Sequence, residues 1–240
     1  MKITAEHTEK NIESFFEWMG KPFVTEPVSK ETLEKFKGKL PDRLLEFWRV
    51  HGFCGFRDGL FWITNPDDYE PALEAWFGDT PVVEKDSYYV IARTAFGKLY
   101  LWGTRTGARY ELMEPEMGWL YDSGDVRAER DIRDGKSDWL FSVFLALRGP
   151  PSKADSKDDN DKPLFERAVK KFGPLAADEM FAFTPALALG GENLLTNLSK
   201  VDIHIHLDLL AQMLERQMLD KRSLAKAAFG PKAEWPADAK

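Results

Sequence analysis

An α+β fold in two domains is predicted for this 240-residue chain by three features. Apolar residues recur at helical spacing near the start, and strand-like segments separated by glycine turns fill the middle. A segment rich in Pro, Ser and Asp then interrupts the chain at 149–163. The larger piece should hold a mostly antiparallel sheet flanked by helices, and the smaller should be a compact α+β domain.

Taken in order, Ile12, Phe15, Phe16 and Met19 mark a first helix that Gly20-Lys21-Pro22 stops. Ser29 is placed to cap a second helix containing Leu33 and Phe36. Pro41 suits the first turn of a third, with Leu44, Leu45 and Trp48 on one face and Gly52 ending it. From Gly55 the period shortens: residues 59–63 read as a buried strand and 67–77 as a short helix. Residues 87–92, 98–102 and 108–112 read as strands joined by glycine-containing turns. A buried helix over 139–147 closes the first domain, residues 1–148.

Residues 149–163 hold no apolar side chain larger than alanine apart from proline, and are expected to form an exposed linker. The second domain, 164–230, should open with a helix carrying Phe165, Val169 and Phe172, ended by Gly173-Pro174. A strand over 180–184, a turn over 188–193, a strand over 201–207 and a helix over 209–219 follow. Residues 231–240 are expected to be a frayed tail.

Composition narrows the function. With 43% hydrophobic and 30% charged residues the chain is ordinary globular material. No stretch approaches the roughly 18–20 apolar residues of a membrane span, and the first residues lack a signal-peptide core. Cys54 is the only cysteine, which rules out an internal disulfide and a cysteine-based zinc site and fits a reducing cytoplasm. A net charge of −7 argues against a direct nucleic-acid partner. The excess is concentrated: residues 1–150 carry 20 basic and 26 acidic side chains, and residues 151–240 carry 13 and 14. Between positions 58 and 84 seven acids (Asp58, Asp67, Asp68, Glu70, Glu74, Asp79, Glu84) occur without a single Lys or Arg. Such a span is either a solvated face or a docking surface for a basic partner. Tyr69 and Trp76 lie within it two helical turns apart, so they share a face, as interface anchors or as core.

Chemistry-bearing motifs do not assemble into an active site. On a strand, His204 and His206 would share a face as two ligands of one metal, but no histidine follows to complete a set. Cys54 has His51 three residues away, yet its glycine-flanked setting suits a small buried thiol. Gly190-Gly191-Glu192-Asn193 lacks the Lys-Ser/Thr of a phosphate loop and reads as a tight turn. No catalytic residue, metal or cofactor is expected.

Several strings carry a resemblance. Leu40-Pro41-Asp42-Arg43-Leu44-Leu45-Glu46-Phe47-Trp48, Gly59-Leu60-Phe61-Trp62, Asn65-Pro66-Asp67-Asp68-Tyr69 and the stretch Ala92 to Trp102 resemble the GAD-like domain. Leu164 to Ala168, Phe172-Gly173-Pro174-Leu175 and Phe181 to Gly191 resemble the small C-terminal domain that accompanies it in immunity proteins against type VI secretion DNase effectors. The resemblance implies a non-enzymatic bacterial protein that binds a co-encoded toxin, typically a DNase, and blocks its active site or DNA-binding surface. The toxin-binding residues expected on this reading are Asp58, Asp67, Asp68, Tyr69, Glu70, Glu74 and Asp79, with Gly191, Glu192 and Asn193 as a second contact. A regulatory binding module for a cellular protein or small ligand is the alternative.

Overall fold

The structure, a computed structural model, describes residues 4–229. The chain runs α1 (Ala5–Met19), β1 (Val24–Glu26), α2 (Lys30–Phe36), α3 (Asp42–His51), β2 (Phe53–Phe56), β3 (Phe61–Ile63), α4 (Glu70–Phe77), β4 (Tyr88–Thr94), β5 (Leu99–Gly103), β6 (Tyr110–Glu114) and β7 (Trp119–Asp122). It continues through α5 (Arg127–Arg133), α6 (Ser137–Arg148), α7 (Phe165–Phe172), β8 (Glu179–Phe183), β9 (Leu198–Asp202), α8 (Ile203–Met213), β10 (Gln217–Asp220) and α9 (Lys221–Phe229).

The expected α+β architecture is present. An eight-stranded sheet runs β1-β2-β3-β4-β5-β6-β7-β10, antiparallel throughout except where β10 joins β7 in parallel. A separate hairpin pairs β8 with β9. The strand period sorts side chains to the two faces. Tyr100 and Trp102 of β5 turn toward α6, meeting Phe144 and Phe141 edge-on at 5.5 and 6.3 Å, in a core shared with α1 and α3. Leu99 and Leu101 turn the other way and pack with Trp76 and Phe77 of α4 and Leu207 and Leu210 of α8. Helices thus cover both faces, and β5 is buried along its whole length.

Local signals account for the early helices. Ser29 Oγ accepts from Thr32 N–H at 3.0 Å and caps α2. Pro41 stands one residue outside α3, at its cap. Gly52 stops α3 with φ +72°, and a Cβ there would sit 2.2 Å from the Glu26 carbonyl, so only glycine lets β1 approach.

The structure adds to or revises the expected layout in four places. Residues 149–163 are exposed at many positions but anchored at others: Ala154 and Asp158 are buried, and Asp155 accepts from the Ser156 and Phe165 amides at 2.7 and 2.9 Å. Aspartate side chains supply the hydrogen bonds that a lack of large apolar groups seemed to deny this segment. The two pieces also do not keep separate cores. Phe165, Phe181 and Leu198 pack with Phe15 and Phe61, while Ile203 and Leu207 pack with Tyr69 and Trp76. The strand expected over 201–207 ends at Asp202, whose carboxylate accepts from Ile205 N–H at 2.9 Å and starts α8. The helix expected over 209–219 ends at Met213 and gives way to β10. The tail, 231–240, lies outside the described residues.

Candidate functional site

The acidic span folds so that its apolar residues turn inward and its carboxylates outward. Asn65 Oδ1 accepts from Asp67 N–H at 3.3 Å, and Pro66 opens a short 3-10 turn that leads into α4. On α4 the helical period buries Ala72, Trp76 and Phe77 and leaves Glu70 and Glu74 exposed. Asp68 is exposed beside Asn65 Nδ2, at 3.1 Å. The span is less bare of cations in space than in sequence. Lys35 from α2 meets Asp67 at 2.6 Å, and Arg216 reaches Asp79 from the loop before β10. That hydrogen bond to Asp67 raises the Lys35 pKa above its ordinary value.

Beside α4 lies α8. Trp76 Nε1 donates to the Leu207 carbonyl at 3.1 Å, and Arg216 Nη1 donates to the Ala75 carbonyl at 2.8 Å. The Tyr69 and His204 rings meet at 4.9 Å. Ile203, Leu207 and Leu210 are the buried side of α8; Ile205, Asp208, Leu209, Gln212 and Met213 are its exposed side. The outer surface of the pair therefore combines Glu70 and Glu74 with Asp202, Asp208 and Glu215. No Lys or Arg occurs in residues 201–215, and α4 has none.

Tyr69 does not belong to that surface. It is 3% exposed, and burial raises its phenol pKa against the opposing pull of Arg93. Arg93 is fully buried and stacks on Trp62 with its guanidinium 4.8 Å from the ring. It donates to the Ala176 and Ala177 carbonyls at 3.3 and 2.8 Å, fastening β4 to the segment before β8. Burial lowers the Arg93 pKa, an effect that neighbouring Tyr69 and Asp178 resist. A cavity of about 160 Å³ sits in this seam, lined by Trp62, Asp68, Tyr69, Arg93, Asp178 and His204 among others. Farther along the seam, buried Glu116 accepts from Phe183 and Leu187 N–H, each at 3.2 Å, and lies 3.0 Å from His206 Nε2.

The remaining expected contacts are scattered. Asp58 is exposed with φ +57°, and its carbonyl accepts from Leu175 N–H at 3.0 Å. Gly191 packs so tightly that a Cβ would lie 1.9 Å from the Pro185 carbonyl. Asn193 Nδ2 donates to the Lys157 carbonyl at 2.9 Å, and its own carbonyl accepts from Asp159 N–H. Of Gly191, Glu192 and Asn193 only Glu192 is exposed. Gly191 and Asn193 shape the loop and hold the 157–159 segment in place. Sequence reasoning missed the outer face of α8 because it gave residues 201–207 to a strand; the capping signal was Asp202, three residues before Ile205.

As for chemistry, His204 and His206 are on a helix, two positions apart, and face Tyr69 and Glu116 respectively, so they cannot share one ion. Among the described residues no group of three or more His, Cys, Asp or Glu gathers as a metal site. Cys54 is fully buried, which pushes its thiol up to about 12, and the His51 ring instead contacts Phe16 and Phe47. No helix among the described residues is long and apolar enough to cross a membrane.

Comparison with known proteins accords with this layout. Residues 10–115 match the family described as GAD-like domain, and residues 143–214 match the family described as T6SS immunity protein Tdi1, C-terminal. No curated protein matches the chain. The crystal structure of Atu4351 from Agrobacterium tumefaciens is similar in fold, with a TM-score of 0.75 at 20% identity, covering 87% of this chain and 92% of that one. The α4–α8 contact therefore joins the region that matches the GAD-like model, residues 10–115, to the region that matches the Tdi1 C-terminal immunity model, residues 143–214.

Proposed function

We propose that this chain is a cytoplasmic immunity protein that binds and neutralises a cognate type VI secretion toxin, a basic DNase encoded nearby. It acts by steric occlusion of the toxin's active or DNA-binding site, without catalysing a reaction. The observation that carries this reading is the acidic outer surface of α4 and α8, which offers carboxylates from both matched regions and no Lys or Arg of its own. A nuclease that grips a phosphate backbone presents clustered Lys and Arg, and a carboxylate face of this kind is complementary to them. The match of residues 143–214 to an immunity-protein family supports the same role. A ligand-binding regulatory module is the second reading, favoured by the seam cavity with its Trp62 and Arg93 lining.

Co-expression tests the proposal. Cells producing the neighbouring effector should survive with the wild-type chain, and lose that protection with the double variant Glu70→Lys, Glu74→Lys. Full toxicity alongside folded wild-type protein would reject it.

A further inference from the structure

The outward face of α8 carries a line of apolar side chains that the fold leaves open. Ile205, Leu209 and Met213 stand four residues apart on one side of the helix, 71, 49 and 50% exposed. The opposite side already supplies the core through Ile203, Leu207 and Leu210. A helix lying on a sheet needs one apolar stripe, and α8 has two. The segment that carries the second stripe also exposes Asp202, Asp208 and Glu215, and α4, which packs against α8, exposes Glu70 and Glu74. The cations that flank α8 in the sequence are already paired. Lys200 is spent on the Pro174 carbonyl and Glu179, and Arg216 on the Ala75 carbonyl and Asp79.

We propose that the Ile205–Leu209–Met213 stripe is the anchor of the toxin interface, and that its occupant is an apolar groove on a basic protein whose Lys and Arg rim faces the acids of α4 and α8. The inference rests on the immunity reading and adds to it the contact that supplies affinity. An apolar centre inside a charged rim is the usual anatomy of a specific interface, and anchors at i, i+4 and i+8 are how a helix seats in a groove. The rim also selects the occupant. A second copy of this chain docked here would bring like charges together, and an anionic membrane surface would be repelled.

Titration calorimetry with a catalytically inactivated form of the neighbouring effector as probe tests this. Exposed positions tolerate polar replacement, so the double variant Ile205→Ser, Leu209→Ser should keep the wild-type circular dichroism spectrum and melting temperature. Its affinity should fall about 100-fold or more, as for loss of central anchors, and that fall should persist in high salt. The variant Glu70→Gln, Glu74→Gln should lose less, and only at low salt. Wild-type binding with an unchanged serine variant overturns the anchor and leaves the immunity reading standing. No binding by wild type overturns both. A wild-type dimer in light scattering that the serine variant converts to monomer would make the stripe a self-interface and overturn the proposal.

Discussion

The indole Nε1 of Trp76 on α4 donates to the main-chain carbonyl of Leu207 on α8, 3.1 Å away and 131 residues along the chain. Both residues are buried, so the bond lies beneath the acidic surface and fixes the spacing of the two helices that form it. Together with the Arg216 bond to the Ala75 carbonyl and the shared core, it holds α4 against the inner side of α8.

Replacing Trp76 by alanine should cost about 3–5 kcal/mol, because a fully buried indole leaves a cavity as well as a lost bond. Trp76→Phe keeps most of the bulk and should cost about 1–2 kcal/mol. Urea unfolding followed by far-ultraviolet circular dichroism measures both, and a Trp76→Phe cost near zero would show that the hydrogen bond and the larger ring contribute nothing.

Arg93→Met should destabilise the protein by about 2–4 kcal/mol, since the carbonyls of Ala176 and Ala177 lose a charged donor inside the fold. Arg93→Lys should rescue only part, because an ammonium cannot fork to two carbonyls while stacking on Trp62. The variants should unfold in one transition, as expected where both matched regions share a core. A first transition confined to residues beyond 164, seen by hydrogen exchange, would show instead that the seam melts alone.

Glu114 gives a pH signature. Burial pushes its carboxyl up to about 7 from an ordinary 4.5, against the pull of Lys98. The native state therefore binds more protons than the unfolded chain between those values. Its contribution to stability is complete below the ordinary carboxylate range and is lost as pH rises through about 7. Wild-type protein should lose stability relative to Glu114→Gln between pH 5.5 and 7.5 in urea unfolding. Parallel profiles would contradict the assignment.

Gly191→Ala separates shape from contact in the 190–193 turn. The added methyl meets the Pro185 carbonyl, so the turn must shift, at a cost of about 1–3 kcal/mol. Glu192→Lys alters only an exposed charge and should leave the urea midpoint unchanged. A loss of stability from Glu192→Lys as large as that from Gly191→Ala would refute this division.

Much of the fold was legible because local signals and burial agree in it. The Ser29 cap, the Gly52 stop and the apolar run of β5 each state in sequence what packing requires. The segments misread are those where a short-range polar group overrides the apolar pattern. Asp202 converts an alternating run into a helix, and Asp155 with Asp158 orders a segment that composition alone would leave loose. Strand β10 was hidden because its four residues pair with β7, about a hundred positions earlier, and carry no turn signal of their own. At the candidate site the outward carboxylates of α4 were visible as a charge run. The burial of Tyr69 and the pairing of Asp67 with Lys35 and Asp79 with Arg216 are tertiary facts that a charge run does not contain.

Hydrogen exchange of the chain alone and in complex with the inactivated neighbouring effector tests the shared α4–α8 surface most directly. Binding there should slow exchange in residues 70–79 and 202–215 together, with both segments recovering in the Ile205→Ser, Leu209→Ser variant. Protection confined to one segment, or centred on residues 190–193 or on the α1–α6 side of the sheet, would show that the toxin docks elsewhere.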